Sequence, residues 1–334
     1  MRSADQEFVV ACWQAGVNSV LGDASVARAL KHESHPRFDC ILAVGKAAAA
    51  MYQGALHSLG YEPRGIMVTK YGHVPEELSS TSSLEVMQSA HPSPDTCSLE
   101  AGRRCLEFVS QIGEDENLLV LVSGGASSLV EHLPQNMSLD ELKSLTDSLI
   151  SEGYSIDQIN AVRRQFSLIK GGRLLAAFKG NRALTYAISD VPGDDVEVIG
   201  SGIGGRGPVP ALDFDLPAAV SSVLDRVMST AQLKEKGAAI NWKSNVVASN
   251  QVARDHACNW AEARGVGVVF NAQTMHDDVN TVACHIVETV KSGSAGIYIF
   301  GGEPTVVLPE NPGAGDETSI WGCCWLGHLR ATAA

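Results

Sequence analysis

Short runs of consecutive apolar residues alternate along the chain with longer stretches in which apolar positions recur three or four apart, a pattern that predicts strands interleaved with helices. The runs Cys40–Val44, Gly65–Thr69, Leu118–Val122 and Ala183–Ile188 lack the polar alternation of a half-exposed strand, so they read as strands buried on both faces. Leu84–Met87 leads into the proline-bearing loop at 89–95. Helical spacing fits residues 4–31, where Phe8, Val9, Cys12, Val17, Val20 and Leu21 mark the apolar face, and residues 101–112. A further helix opens at Ser138 with Glu141 three residues on, as in a capping box. The next follows Tyr154 and is expected to run through Arg163 to Lys170, where Gly171-Gly172 would cap it. After a helix at 216–231 and a link at 233–241, Val246–Ala248 is expected to open a second α/β unit. That unit would hold a helix through Ala263, a strand 266–270, a helix 279–291 and a strand 296–300. Strands separated by helices imply a doubly wound, mostly parallel sheet, whose ligands bind outside the carboxyl ends of the strands.

Those ends carry the candidate chemistry. Leu118–Val122 runs into Ser123-Gly124-Gly125-Ala126-Ser127-Ser128. Adjacent glycines let backbone N–H groups approach an anion, and Ser127 and Ser128 could cap a helix that starts there. The loop reads as a phosphate or carboxylate cradle, or as a tight turn without a ligand. Gly45-Lys46 follows another strand without the spacing of a P-loop, and Lys70 ends a third. His91 stands in a proline-stiffened loop as a ligand contact or a loop cap, and Arg163 and Lys170 are cations that could point into a cleft or into solvent. Asp190, Gly193, Asp194 and Asp195 follow Ala183–Ile188, where clustered carboxylates can hold Mg²⁺, accept a substrate proton or form a solvated turn. Gly202–Gly207 spells GxGxxG, but Pro208 and Pro210 stand where a helix should open, so a dinucleotide fingerprint is rejected.

The 334 residues favour two domains, and 45% hydrophobic content supports a large core. A net charge of −13 argues against nucleic acid as a partner. The opening MRSADQEFVVACWQAG has no long apolar run, so no signal peptide or membrane span is expected, and the protein is placed in the cytoplasm. Eight cysteines, at 12, 40, 97, 105, 258, 284, 323 and 324, form no CxxC pair and read mostly as small buried hydrophobes.

In order and spacing, AVGKA (43–47), VTKYGH (68–73), SAHPSPD (89–95), VSGGASSL (122–129), NAVRRQFSLIKGGRL (160–174) and ISDVPGDDVEVIGSG (188–202) resemble the class II glycerate kinases, the glycerate 2-kinase or MOFRL family. The resemblance covers residues 5 to 312 or so. It implies a Rossmann-like doubly wound first domain (1–240), a smaller α/β second domain (241–334) that reads as truncated, and an active site in the cleft between them. It further implies ATP- and Mg²⁺-dependent phosphorylation of D-glycerate to 2-phosphoglycerate, with small-molecule substrate and nucleotide as partners, no membrane partner, and an oligomeric state left open, a homodimer included. Lys46 matches the family's GKA lysine and would neutralise developing charge. Ser123, Gly124, Gly125 and Ser127 would cradle phosphate or carboxylate, with Lys70, His91, Arg163 and Lys170 as further binding residues. Asp190 would orient the hydroxyl or bind metal together with Asp194, and Glu303 matches the family's GGE motif. Rival readings are a catalytically silent ligand-binding remnant and a hydroxypyruvate reductase.

Two departures stand out. The family's SGP appears as Ser201-Gly202-Ile203, and after Glu303-Pro304-Thr305 the chain lacks the family's glycine-arginine segment. Codons for Pro312–Thr318 read two bases later can spell Gly/Arg-Gly-Gly-Arg-Asn, so a frameshift near Pro312 is expected, with residues 313–334 out of frame.

Overall fold

The computed structural model describes residues 3–32, 37–206, 209, 211–230 and 241–305; the tail expected to be out of frame, Pro208 and Pro210 lie outside these. In chain order the elements are α1 (Ser3–Ser19), α2 (Gly22–His32), β1 (Cys40–Val44), α3 (Ala48–Leu59), β2 (Arg64–Lys70), β3 (Leu84–Ser89), α4 (Thr96–Ser110), β4 (Asn117–Val122) and the one-turn α5 (Ala126–Leu129). They continue with α6 (Leu139–Ser151), α7 (Ile156–Phe166), α8 (Arg173–Ala176), β5 (Arg182–Ile188), α9 (Ala218–Thr230) and β6 (Asn241–Ala248). The last are α10 (Asn250–Glu262), β7 (Val268–Met275), α11 (Val279–Ser292) and β8 (Ile297–Gly302). The chain divides into two compact units, Ser25–Val247 and Met1–Ala24 with Ala248–Ala334.

The larger unit is built on a six-stranded sheet of order β3-β2-β1-β4-β5-β6, flanked by helices. The pairs β1·β2, β2·β3, β1·β4 and β4·β5 are parallel. Every residue of β1 and β4 is buried, as their unbroken apolar runs require. One face of the core brings Leu42, Val44, Ile66, Val68, Val120 and Val122 against Ala101, Cys105 and Val109 of α4. Burial pushes the Cys40 and Cys105 thiols up to about 12, so both act as small hydrophobes, as the sequence implied. A second cluster gathers Leu142, Leu145 and Leu149 of α6 with Ile159, Val162 and Phe166 of α7 and Val220, Leu224 and Val227 of α9.

Register decides where the loops emerge. Val44 pairs with Val68 on one side and Val122 on the other, and Val122 pairs with Ala187. The carboxyl ends of β1, β2, β4 and β5 therefore share one rim. The chain moves outward from β1 through β2 to β3, then returns to β4 on the other side of β1, so β1 and β4 flank the point where strand order reverses.

Three details depart from the sequence reading. Residues 246–248 form no strand of a second sheet, although the smaller unit resumes at Ala248: β6 is the edge of the first sheet, fastened where Trp242 Nε1 donates to Thr185 Oγ1 at 3.1 Å. Gly171-Gly172 does not cap α7, which stops at Phe166 because Ser167 turns extended and its Oγ accepts from the Ile169 and Lys170 N–H groups. The N-terminal helix, expected in the first domain, belongs to the smaller unit. There Gly16 lets α1 approach α10 so closely that a Cβ would stand 2.8 Å from Ala253 O. Phe8 packs tilted against Trp260, ring centroids 5.0 Å apart, and Cys12 Sγ donates to Ala257 O. This unit also holds the parallel pair β7·β8 with α11.

Leu42 is fully buried at the centre of the sheet core. Leu42→Ala is expected to lower the unfolding free energy by about 2–5 kcal/mol, read from urea denaturation, and a loss under about 1 kcal/mol would show that β1 is not central to the core.

Candidate functional site

Two loops leave the shared rim side by side, one after β1 and one after β4, and they are stitched together. Lys46 N donates to Gly124 O at 2.9 Å, Ala47 N to Ser123 Oγ at 3.0 Å, and Ser123 N to Val44 O at 3.0 Å. Gly45 makes the approach possible. Its φ is +134°, and a Cβ there would fall inside Ser123. Ser123, 1% exposed, thus spends its lone pair on holding the neighbouring loop.

The loop after β4 turns through Gly125, at φ +83°, into α5. Ser127 and Ser128 lie inside that single turn instead of capping it. Ser128 Oγ donates to Gly125 O, and Ser127 Oγ lies 2.8 Å from Ser201 Oγ. A helix of four residues has little macrodipole, so any pull on an anion comes from individual N–H groups. Among the described residues, the N–H groups of Gly124, Gly125 and Ser127 donate to no protein acceptor.

Around these N–H groups stand three of the predicted site residues. A Cβ on Gly124 would lie 2.5 Å from Asp190 Oδ2, and one on Gly125 would lie 3.1 Å from Lys46 Cε and 2.9 Å from His91 Cδ2. Lys46, His91 and Asp190 therefore converge on the glycine pair, with Asp190 exposed after β5 and the other two half-buried. Among the described residues the Lys46 ammonium has no carboxylate within salt-bridge distance. Lys70 closes β2 on the same rim, in register with Ser89. Asp194, at φ +54°, lines a cavity of about 630 Å³ with Arg28, His32, Ser244 and Asn245. No group of three or more His, Cys, Asp or Glu side chains among the described residues is arranged around a metal position. Mg²⁺ needs only one or two carboxylates beside phosphate oxygens, which exposed Asp190 can supply next to the N–H cluster. Glu303 is an exposed residue after β8 in the smaller unit.

Arg163 and Lys170 are not open anion ligands. Lys170 is fully buried, with Nζ 2.6 Å from Glu131 Oε2 and donating to Val130 O at 3.1 Å. Arg163 Nη2 donates to Ser127 O at 3.0 Å and lies 3.7 Å from Glu131 Oε2. Burial pushes the Lys170 ammonium down to about 8 against the opposing pull of Glu131, and it lowers Arg163 in the same way. Sequence reasoning missed Glu131. Its one signal was a carboxylate inside the apolar run Leu129-Val130-Glu131. Ser201 was missed as well: at φ +59° between Gly200 and Gly202, it accepts Gly171 N at 2.9 Å through its carbonyl while its hydroxyl meets Ser127. Ile203, where the resemblance led to an expectation of proline, is fully buried in the sheet core.

Over residues 8–241 the chain matches the family described as a domain of unknown function, DUF4147. It is 38% identical over 187 residues to a D-glycerate 2-kinase of Thermotoga maritima, a match covering 56% of this chain and 44% of that enzyme, under half the relative's length. To a putative hydroxypyruvate reductase of Agrobacterium vitis it is 33% identical over 302 residues, covering 84% of this chain and 75% of the relative. The crystal structure of a glycerate kinase from Thermotoga maritima superposes with a TM-score of 0.76 at 27% identity, covering 92% of this chain and 76% of that one.

Gly125→Ala forces a side chain into the left-handed region and against Lys46 and His91, so it should cost about 1–3 kcal/mol in urea denaturation; an unchanged midpoint would mean that the turn is not held. Lys170 binds its proton less tightly in the folded chain than at its ordinary value of 10.5. Between about pH 8 and 10.5 the unfolded state therefore holds more protons, so this group makes stability rise with pH across that window. Lys170→Met should abolish that rise, and persistence of it would assign the titration elsewhere.

Proposed function

The chain belongs to the DUF4147 family, of glycerate kinase type, and from that premise we propose that it transfers the terminal phosphoryl group of ATP to the 2-hydroxyl of D-glycerate, giving 2-phosphoglycerate. The observation that carries the reading is the meeting, at the reversal point of a parallel sheet, of unaccepted N–H groups, a lysine and a carboxylate.

In this reading the N–H groups of Gly124, Gly125 and Ser127 bind phosphate oxygens, where donors fixed before the reaction cost no reorganisation. Lys46, its stem laid across Gly125, brings its ammonium to the transferring group and offsets negative charge. Asp190 accepts the hydrogen bond of the attacking hydroxyl or would hold Mg²⁺, which when bound would offset negative charge on the phosphate. His91 and Lys70, at neighbouring strand ends, suit the glycerate carboxylate. A cytoplasmic setting is supported by the six described cysteines, all of them free. We also propose the change of reading frame near Pro312, to be tested on the gene: codons unable to give Arg-Asn in the shifted frame would end it.

The second reading, a hydroxypyruvate reductase, is favoured only by the names of two Agrobacterium vitis relatives. Direct measurement of ADP formed with D-glycerate, beside NADH consumed with hydroxypyruvate, separates the two, and binding without either product identifies a silent remnant. The kinase reading expects ADP production that depends on D-glycerate and falls by about 10²–10³-fold in Lys46→Met. NADH oxidation without ADP, or full activity in Lys46→Met, would overturn it.

A further inference from the structure

Below the N–H cluster lies a charged group that phosphoryl transfer does not use directly. Lys170, Arg163 and Glu131 are 0%, 8% and 0% exposed, two cations around one carboxylate. Glu131 is held from several sides. Its Oε2 takes the Lys170 ammonium at 2.6 Å, its Oε1 accepts from Ser167 Oγ at 2.5 Å, and its backbone N donates to Ser98 O at 3.0 Å. Gly102 of α4 leaves room for it, since a Cβ there would fall inside the Glu131 backbone.

Both cations then reach on to carbonyls of the same loop: Arg163 to Ser127 O at 3.0 Å and Lys170 to Val130 O at 3.1 Å. Between these, Leu129 O accepts from Ser89 Oγ at 2.7 Å. A single helical turn cannot hold its own shape, so these outside donors set it. Without Glu131, two buried cations would face each other unpaired, and one would lose its proton or its place. A buried ion pair is a poor device for stability, because well-packed apolar residues fill the same volume as well or better. What charged groups provide is direction, through hydrogen bonds to particular carbonyls.

We propose that Glu131 is a positioning residue for the anion-binding loop: it fixes Arg163 on the carbonyl of Ser127 and Lys170 on that of Val130, and so sets the direction of the N–H groups of Gly124, Gly125 and Ser127. The proposal rests on the reading of that loop as the phosphate site, and it needs no turnover to be tested.

Hydrogen exchange on the full chain, with and without inorganic phosphate, is the experiment. In Glu131→Gln, the hydrogen-bonded amides of Ala126 and of 128–131 should exchange roughly tenfold faster while those of Leu119–Leu121 in β4 stay unchanged, and the slowing of loop exchange by phosphate that is expected of the wild type should disappear. Equal acceleration in loop and β4, which a merely structural role produces, or no acceleration in the loop, would overturn the proposal. Should Glu131→Gln not fold, Ser167→Ala removes one donor to Oε1 and should speed the same loop amides about threefold; no local change there would equally overturn it. A wild type that forms no ADP, yet shows the local response to Glu131→Gln, would sink the kinase reading and leave this one standing.

Discussion

Two loops can lie against each other at the rim of this sheet only because three positions carry no side chain. At Gly45 a Cβ would fall inside Ser123, at Gly124 it would press on Asp190, and at Gly125 it would meet Lys46 and His91. Close approach then leaves backbone N–H groups open at the rim. Ser123 ties down the neighbouring loop through the Ala47 N–H, while among the described residues the N–H groups of Gly124, Gly125 and Ser127 have no protein acceptor, in the loop that Lys46 and Asp190 approach. Everything proposed about phosphate depends on that exclusion of side-chain volume.

The sheet and the buried charges serve the same end at different depths. Parallel pairing in which Val44, Val68 and Val122 lie abreast brings residues far apart in sequence to one edge. Beneath the edge, Glu131, Lys170 and Arg163 hold the loop by its carbonyls, a polar arrangement inside an otherwise apolar core. Around the rear of the loop, Ser201 in its left-handed conformation meets Ser127, and the turns at 171–172 and 200–202 are joined by backbone hydrogen bonds. Left-handed backbone at a non-glycine residue costs energy. Here it sits where it fixes a neighbour of the site.

The strands were legible because burial on both faces leaves an unbroken apolar run: the stretch read as Gly65–Thr69 is Arg64–Lys70 in the structure, and Cys40–Val44 is unchanged. Lys46, Gly124 and Asp190 were legible for the same reason, since each follows such a run and a parallel sheet aligns the ends. What lay beyond reach was the identity of packing partners. The spacing of Phe8 and Cys12 marks an apolar face without saying that α10 covers it. Nor does the pair Arg163 and Lys170 reveal that Glu131 turns both inward. The glycine pair at 171–172 resembled a helix cap in composition, but the hydroxyl of Ser167 had already ended the helix.

The central claim is that a phosphate oxygen is bound by the N–H groups of one loop beside Lys46. Following backbone amide resonances of the full chain during titration with ATP tests it most directly. The account predicts that Gly124, Gly125 and Ser127 move first and furthest, with the response weakened in Lys46→Met. Shifts that leave those three amides in place and gather instead around the cavity of about 410 Å³ lined by Arg103, His132 and Arg173 would contradict it.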